Sequence, residues 1–175
     1  MLTFGGLMTA YLVWLGVNYG TIGTLRGISS VIGLLGTVAF HISERRKGLA
    51  GTGMWSIMVQ FGFLGLSYLS LYVQNLDFSL WLLVIGVCCS RIGLWAFDLT
   101  ITQYMQQHTP EKIRGLIGGV QKSLNSFFDL ATFALGLIFS DPKYFYVLVA
   151  TGYISVGIAT LLYYFGIYKK RGTLA

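Results

Sequence analysis

The chain has 175 residues, of which 55% are hydrophobic and only 10% are charged, and its formal net charge is +6. Because soluble domains carry about 25% charged residues, this composition indicates a membrane protein without a separate soluble domain. The positive charge does not indicate nucleic-acid binding, since no basic groove with interleaved aromatic residues occurs outside the apolar runs.

Apolar runs separated by short polar breaks follow one another along the whole chain. About twenty apolar residues suffice to cross the hydrocarbon core of a bilayer as a helix. Both prolines, Pro110 and Pro142, fall in breaks, where they can end a helix without disrupting one. We therefore predict an all-α polytopic membrane protein with six transmembrane helices. They cover approximately residues 2–18, 21–42, 53–73, 79–106, 115–140 and 144–168.

The first run opens at Met1 with no polar or basic leader, which argues against a signal peptide. We expect the chain to be a fragment of a longer protein. The breaks also predict its orientation, because Lys and Arg gather on the cytoplasmic side of a membrane. The predicted cytoplasmic side holds Arg45, Arg46, Lys47, Lys112, Arg114, Lys169, Lys170 and Arg171, against Arg26 and Lys143 on the other side.

The fourth run contains two charges, Arg91 and Asp98, and no other charge between Leu80 and Gln106. A charge at the centre of a bilayer costs at least about 2.5–3.5 kcal/mol on insertion scales, so it usually faces a partner or a water-filled cavity. Their spacing of seven places both residues on one helical face. This pattern indicates either the gate or pathway of a transporter, or a structural pair that fixes helix packing.

The fifth run carries a polar stripe at helical spacing. Its members are Gly118, Lys122, Asn125, Asp129, Thr132 and Gly136. Oxygen ligands that include one carboxylate suit a cation passage, whereas the alternative is a hydrogen-bonded seam between helices. The adjacent Cys88 and Cys89 point about 100° apart and predict no metal site. Catalytic motifs are absent, so the sequence predicts neither an enzyme nor a bound cofactor.

Several segments of the chain carry a family resemblance. They are residues 4–10 (FGGLMTA), 33–40 (GLLGTVAF), 90–100 (SRIGLWAFDLT), 114–125 (RGLIGGVQKSLN, followed by Asp129 and Leu130) and 140–143 (SDPK). In this order they are similar to the corresponding segments of the ferroportin family of iron exporters. The first of them resembles the plant-type branch.

The resemblance implies a twelve-helix transporter of the major facilitator type, with two six-helix lobes and alternating access. Such proteins export ferrous iron, and some also handle cobalt, nickel or manganese. This chain is similar only to the C-terminal lobe, over residues 1–175. The implied partners are therefore the missing N-terminal lobe, the lipid bilayer and the transported metal. Plant-type relatives occupy plasma, vacuolar and plastid membranes, among which the sequence does not decide.

The family's second-lobe metal site uses a cysteine and a histidine, whose positions align with Gly6 and Thr132 here. Neither is a comparable ligand, so this site is not carried over, and binding of the family's peptide hormone is not expected. For a metal in this lobe we predict the oxygen ligands Asp129, Asn125 and Thr132. The residues predicted to serve gating or packing are Arg91, Asp98, Arg114 and Gln121.

Two other functions fit the same sequence. The chain could be a six-span scaffold or assembly protein that transports nothing. It could instead be a half-size transporter that works as a dimer of identical chains. A further lobe encoded upstream would favour the transporter that the resemblance implies, whereas self-association without such a lobe would favour the dimer.

Overall fold

The computed structural model of the chain describes residues 6–73, 75–138 and 145–168. Every secondary-structure element in these residues is helical, which confirms the predicted all-α class. The helices are α1 (Gly6–Trp14), α2 (Tyr19–Ser70), α3 (Leu76–His108), α4 (Glu111–Ile138) and α5 (Phe145–Tyr163), which continues as a π-helix (Tyr164–Tyr168).

The range of α2 comprises two helices that meet at Gly48, the last residue of the polar stretch that the sequence marks as a break. Gly48, with φ 68° and ψ 175°, is the one residue in it whose backbone is not helical. It divides α2 into a first arm, residues 19–47, and a second arm, residues 49–70. Arg and Lys are good helix formers and are favoured near a helix C-terminus, so the basic residues before Gly48 extend the first arm.

The other helix boundaries follow local signals. The side chain of Asn18 accepts a hydrogen bond from the backbone N–H of Gly20 at 2.9 Å and so caps α2. Pro110 directly precedes α4, where its missing N–H costs no helical hydrogen bond. The predicted break at residues 140–143 lies outside the described residues.

Helix α3 packs against both arms of α2, and glycines allow the close approach. A Cβ added to Gly36 in the first arm would lie 2.7 Å from the carbonyl oxygen of Ile92. A Cβ added to Gly93 in α3 would lie 2.5 Å from the carbonyl oxygen of Ser56 in the second arm. Small residues at such crossings let helix backbones touch, which is the usual packing mode within a membrane.

The largest buried cluster joins α1, both of the long helices and α5. Leu12, Ile22, Val87 and Val149 are each almost completely buried in it. Helix α4 differs, because it makes few contacts with the other described helices and most of its side chains are exposed. The described helices thus form a packed group with α4 at its margin.

Two hydrogen bonds show which helix ends lie together. The side-chain amide of Gln103 in α3 donates to the carboxylate of Glu44 in the first arm. The hydroxyl of Tyr163 in α5 donates to the carbonyl oxygen of Ala50 in the second arm. We call the end of the helix group that contains these two contacts the basic end. Its described Lys and Arg residues are Arg45, Arg46, Lys47, Lys112 and Arg114.

Three stretches of the described chain are helical, long and apolar enough to cross a bilayer. They are Tyr19–Ser70, Phe78–His108 and Tyr146–Tyr168. Helix α4 is not among them; its polar side chains share the helix with many exposed apolar ones.

Candidate functional site

The polar stripe predicted on the fifth run lies on α4. Lys122, Asn125 and Asp129 are exposed, Thr132 is half-buried, and Gly136 is buried against the rest of the protein. The stripe therefore borders the side of α4 that faces the other helices. The carboxylate oxygens of Asp129 and the amide oxygen of Asn125 are accessible, because both side chains are exposed.

The three predicted metal ligands share one face, but they do not form a closed site. The Thr132 hydroxyl donates to the backbone oxygen of Phe128 at 2.8 Å, which leaves its lone pairs as weak ligands. Within the described ranges, no cluster of three or more His, Cys, Asp or Glu residues could hold a metal. The side chains of Asp129 and Asn125 offer hard oxygen atoms on this face, and their role as metal ligands stays a prediction.

Arg91 lies near the middle of α3 and is half-buried against the first arm. Its Nη1 donates to the hydroxyl of Ser29, a fully buried side chain, at 3.3 Å. Its Nε is buried and has no hydrogen-bond partner among the residues that the structure describes. A buried donor without a partner costs free energy, so an acceptor for the guanidinium in addition to Ser29 would stabilise the protein.

Asp98 lies two turns further along α3 and is exposed. No ion pair between Arg91 and Asp98 is present in the part of the chain that the structure describes, although both residues lie on one helical face. The predicted coupling of the two charges stays a prediction. Their surroundings differ, since Arg91 contacts α2 while Asp98 borders open space.

Arg114 and Gln121, the other predicted gating or packing residues, lie on the first half of α4. Arg114 is exposed, and its Nη2 donates to the backbone oxygens of Gln106 at 3.0 Å and Thr109 at 3.3 Å. It thereby satisfies carbonyl groups at the C-terminal end of α3, where a cation is favoured. Gln121 is half-buried on the inward side of α4.

Two contacts were missed by the sequence interpretation, namely Ser29 beneath Arg91 and the Glu44–Gln103 hydrogen bond at the basic end. Both join residues about sixty positions apart, and no local pattern indicates such pairs. A signal did exist for Glu44, because it is the one acidic residue in a strongly basic stretch.

The far side of α4 presents a shallow groove of about 640 Å³. It is lined by small and apolar residues of this one helix: Gly115, Leu116, Gly119, Val120, Ser123, Leu124 and Phe127. This groove and the polar stripe lie on different faces of the helix. Both faces of α4 are therefore open among the described helices.

Comparison with known proteins places this arrangement in context. The family model described as Ferroportin1 (FPN1) matches residues 1–156. Solute carrier family 40 member 2 of Arabidopsis thaliana is 40% identical over 171 residues, covering 98% of this chain and 33% of the relative. Ferroportin of Rattus norvegicus is 28% identical over 218 residues, covering 94% of this chain and 38% of the relative.

Solved structures agree with the sequence relatives. A bacterial homologue of the iron transporter ferroportin in an outward-facing state has a TM-score of 0.86 and 26% identity, covering 91% of this chain and 40% of that one. The inward-facing state has a TM-score of 0.88 and 26% identity, covering 93% and 40%.

The packed apolar helices and these matches define a helical membrane protein of a family whose members are transporters and not enzymes. The chain belongs to the ferroportin family. It spans about a third of the length of the plant relatives it matches.

Proposed function

We propose that this chain is the C-terminal six-helix lobe of a divalent-metal exporter of the major facilitator type, which moves ferrous iron by alternating access. The observation that carries the proposal is the coverage: 98% of the chain aligns with only 33% of a plant relative. One lobe supplies half of the wall of a central cavity, so the complementary lobe must come from the remaining length. Cobalt, nickel and manganese are further candidate substrates.

Similarity to two transport states supports a rigid lobe in this mechanism. The outward-facing and inward-facing bacterial structures resemble the chain almost equally, with TM-scores of 0.86 and 0.88. If the described helices rearranged strongly between states, one state would fit clearly better than the other. In our proposal the lobe moves as a body against its partner, and access alternates at the interface between them.

The substrate half-site in this proposal is the stripe of α4, with Asp129 as its charged ligand. Asn125 lies one turn away and can add a carbonyl oxygen, while Gly6 at the start of α1 offers no side chain. Hard oxygen ligands bind Fe²⁺, Co²⁺ and Mn²⁺ with little discrimination, because thiolate and imidazole favour the later transition metals. The N-terminal lobe then completes the coordination and supplies most of the selectivity.

Reconstitution in vesicles tests the proposal directly. Saturable uptake of Fe²⁺ and Co²⁺ is measured for three samples. They are the chain alone, the segment of a plant relative that the chain does not cover, and the two pieces together. Our proposal requires uptake only when the two pieces are present together. Uptake by the chain alone would instead support a dimeric half-transporter. No uptake by the assembled pair, with both parts folded and associated, would support a scaffold.

A further inference from the structure

Helix α5 meets the second arm of α2 directly after the kink at Gly48. Tyr163 is 95% buried there, with a relative exposure of 5%. Its hydroxyl donates to the backbone oxygen of Ala50 at 3.2 Å. Ala50 is the second residue after the kink, so this hydrogen bond holds the first turn of the second arm.

The space around the Tyr163 ring is closely filled. The ring packs edge-on against Phe97 of α3, with centroids 5.3 Å apart and planes at 72°. A Cβ on Gly53 would overlap the Tyr163 hydroxyl oxygen and would lie 3.0 Å from a methyl group of Thr100. Gly53 therefore leaves the space that the ring occupies, and three helices meet at this point.

The kink itself is bridged from the same turn. The Thr52 hydroxyl lies 2.9 Å from the carbonyl oxygen of Gly48 and 3.1 Å from the hydroxyl of Ser43 in the first arm. Thr52 is fully buried. The first turn of the second arm is thus tied to the first arm through Thr52 and to α5 through Tyr163.

Beyond Tyr163 the chain widens into a π-helix over Tyr164–Tyr168. Ile167, four residues after Tyr163, also packs against the cluster of Met54 and Ile57 in the second arm. π-Helical turns often occur where a helix must redirect side chains for a functional reason. Here the turn follows directly after the anchoring tyrosine.

We infer that Tyr163 is a positioning residue, which latches the second arm to α5 so that both arms of α2, α3 and α5 move as one body when the transporter changes state. The inference rests on the proposed function for its role in transport, but the latch itself is a property of this chain. Without the latch, Gly48 becomes a flexible joint, because glycine has more backbone freedom than any other residue.

Hydrogen exchange of the whole chain in lipid nanodiscs tests the latch without any transport measurement. Tyr163→Phe keeps the ring and removes the hydroxyl, so exchange of the amides in residues 48–54 should rise about three- to tenfold. Exchange in residues 80–90 of α3 should stay within about twofold of the wild type. Tyr164→Phe is the matched control, because Tyr164 is partly exposed and makes ring contacts with Phe165 and Tyr168, and it should leave both regions unchanged.

Gly53→Ala supplies an independent perturbation of the same latch. It should displace the Tyr163 ring and raise exchange at residues 48–54, and adding Tyr163→Phe should then change exchange by less than about twofold. The inference would be wrong if the increases in exchange caused by Gly53→Ala and Tyr163→Phe multiplied in the double variant. It would also be wrong if Tyr163→Phe left exchange unchanged or raised it equally throughout the chain. If Gly53→Ala does not fold, Tyr163→Phe with its control decides the matter.

Transport by the reconstituted pair gives the functional readout. Tyr163→Phe should lower the maximal rate of Fe²⁺ uptake while leaving KM within about twofold, since a loosened lobe affects the change of state and not the half-site on α4. An unchanged maximal rate together with increased local exchange would show that the latch does not serve transport. Failure of the wild-type pair to transport would count against the proposed function and leave the exchange result standing.

Discussion

Gly93 offers a sharp test of the packing that holds α3 against the second arm. A Cβ at this position would lie 2.5 Å from the carbonyl oxygen of Ser56, 2.7 Å from the backbone nitrogen of Gln60 and 3.0 Å from its Cβ. The first two atoms belong to the backbone of a helix and cannot rotate away. Gly93→Ala therefore forces the two helices apart by roughly 0.5–1 Å, because ordinary carbon contacts need about 3.5 Å or more.

The expected cost follows from this displacement. Overpacking a closely packed site typically costs about 1–3 kcal/mol, and contacts with backbone atoms place Gly93→Ala at the upper end. Gly62→Ala in the second arm is the matched control, because no atom lies within 4 Å of its added Cβ. That control should be neutral or stabilising by up to about 1 kcal/mol, since alanine favours the helix over glycine. The two variants should thus differ by roughly 3 kcal/mol.

Reversible unfolding of the chain in mixed detergent micelles measures both free energies, and thermal unfolding gives an independent ranking. The pair Gly36→Ala and Gly27→Ala repeats the comparison on the first arm, because a Cβ would meet α3 at Gly36 and nothing within 4 Å at Gly27. Equal stability of Gly93→Ala and Gly62→Ala would refute the reasoning. It would mean that α3 and the second arm do not approach as closely as the structure indicates.

Three further predictions address topology and the charged residues. The first uses a chain without its native cysteines in intact cells, where Arg46→Cys should resist external labelling and Leu76→Cys should react. Ready labelling at position 46 would show that the predicted orientation is wrong. In the reconstituted pair, the transport defects of Arg91→Ala and Asp98→Ala should combine less than additively by about 1 kcal/mol or more, and strict additivity would exclude coupling. Asp129→Asn should reduce Fe²⁺ uptake at least about tenfold at normal expression, because the amide is a much weaker ligand; full activity would exclude Asp129 as a ligand.

Much of the local structure was predictable from composition and periodicity. The apolar runs indicated helices, and Pro110 and the polar residues near 74–77 indicated where helices end. Within the break predicted at residues 41–48 the residues up to 47 are helical, because Arg and Lys favour a helix, and the two helices meet at Gly48. Only the structure shows that the chain changes direction at Gly48 and that α3 contacts both arms, at Ile92 and Gly93.

For the candidate site, too, some features were predictable from the sequence and others were not. Helical spacing alone placed Asn125, Asp129 and Thr132 on one face, since a period of 3.6 residues fixes relative directions within a helix. It could not show that this face of α4 is left open among the described helices, nor that Arg91 reaches Ser29 instead of Asp98. These facts depend on which helices meet, and that is decided by distant contacts.

The sequence by itself therefore determined the membrane class, the helical character and the charge asymmetry of the chain, because each depends on local composition and on the thickness of a bilayer. Tertiary structure alone decided the close crossing at Gly93, the bridged kink at Gly48 and the burial of Tyr163 against Ala50. Each of these contacts joins backbone or side-chain atoms whose distance is set by the packing of several helices together. No periodicity within a single helix contains that information.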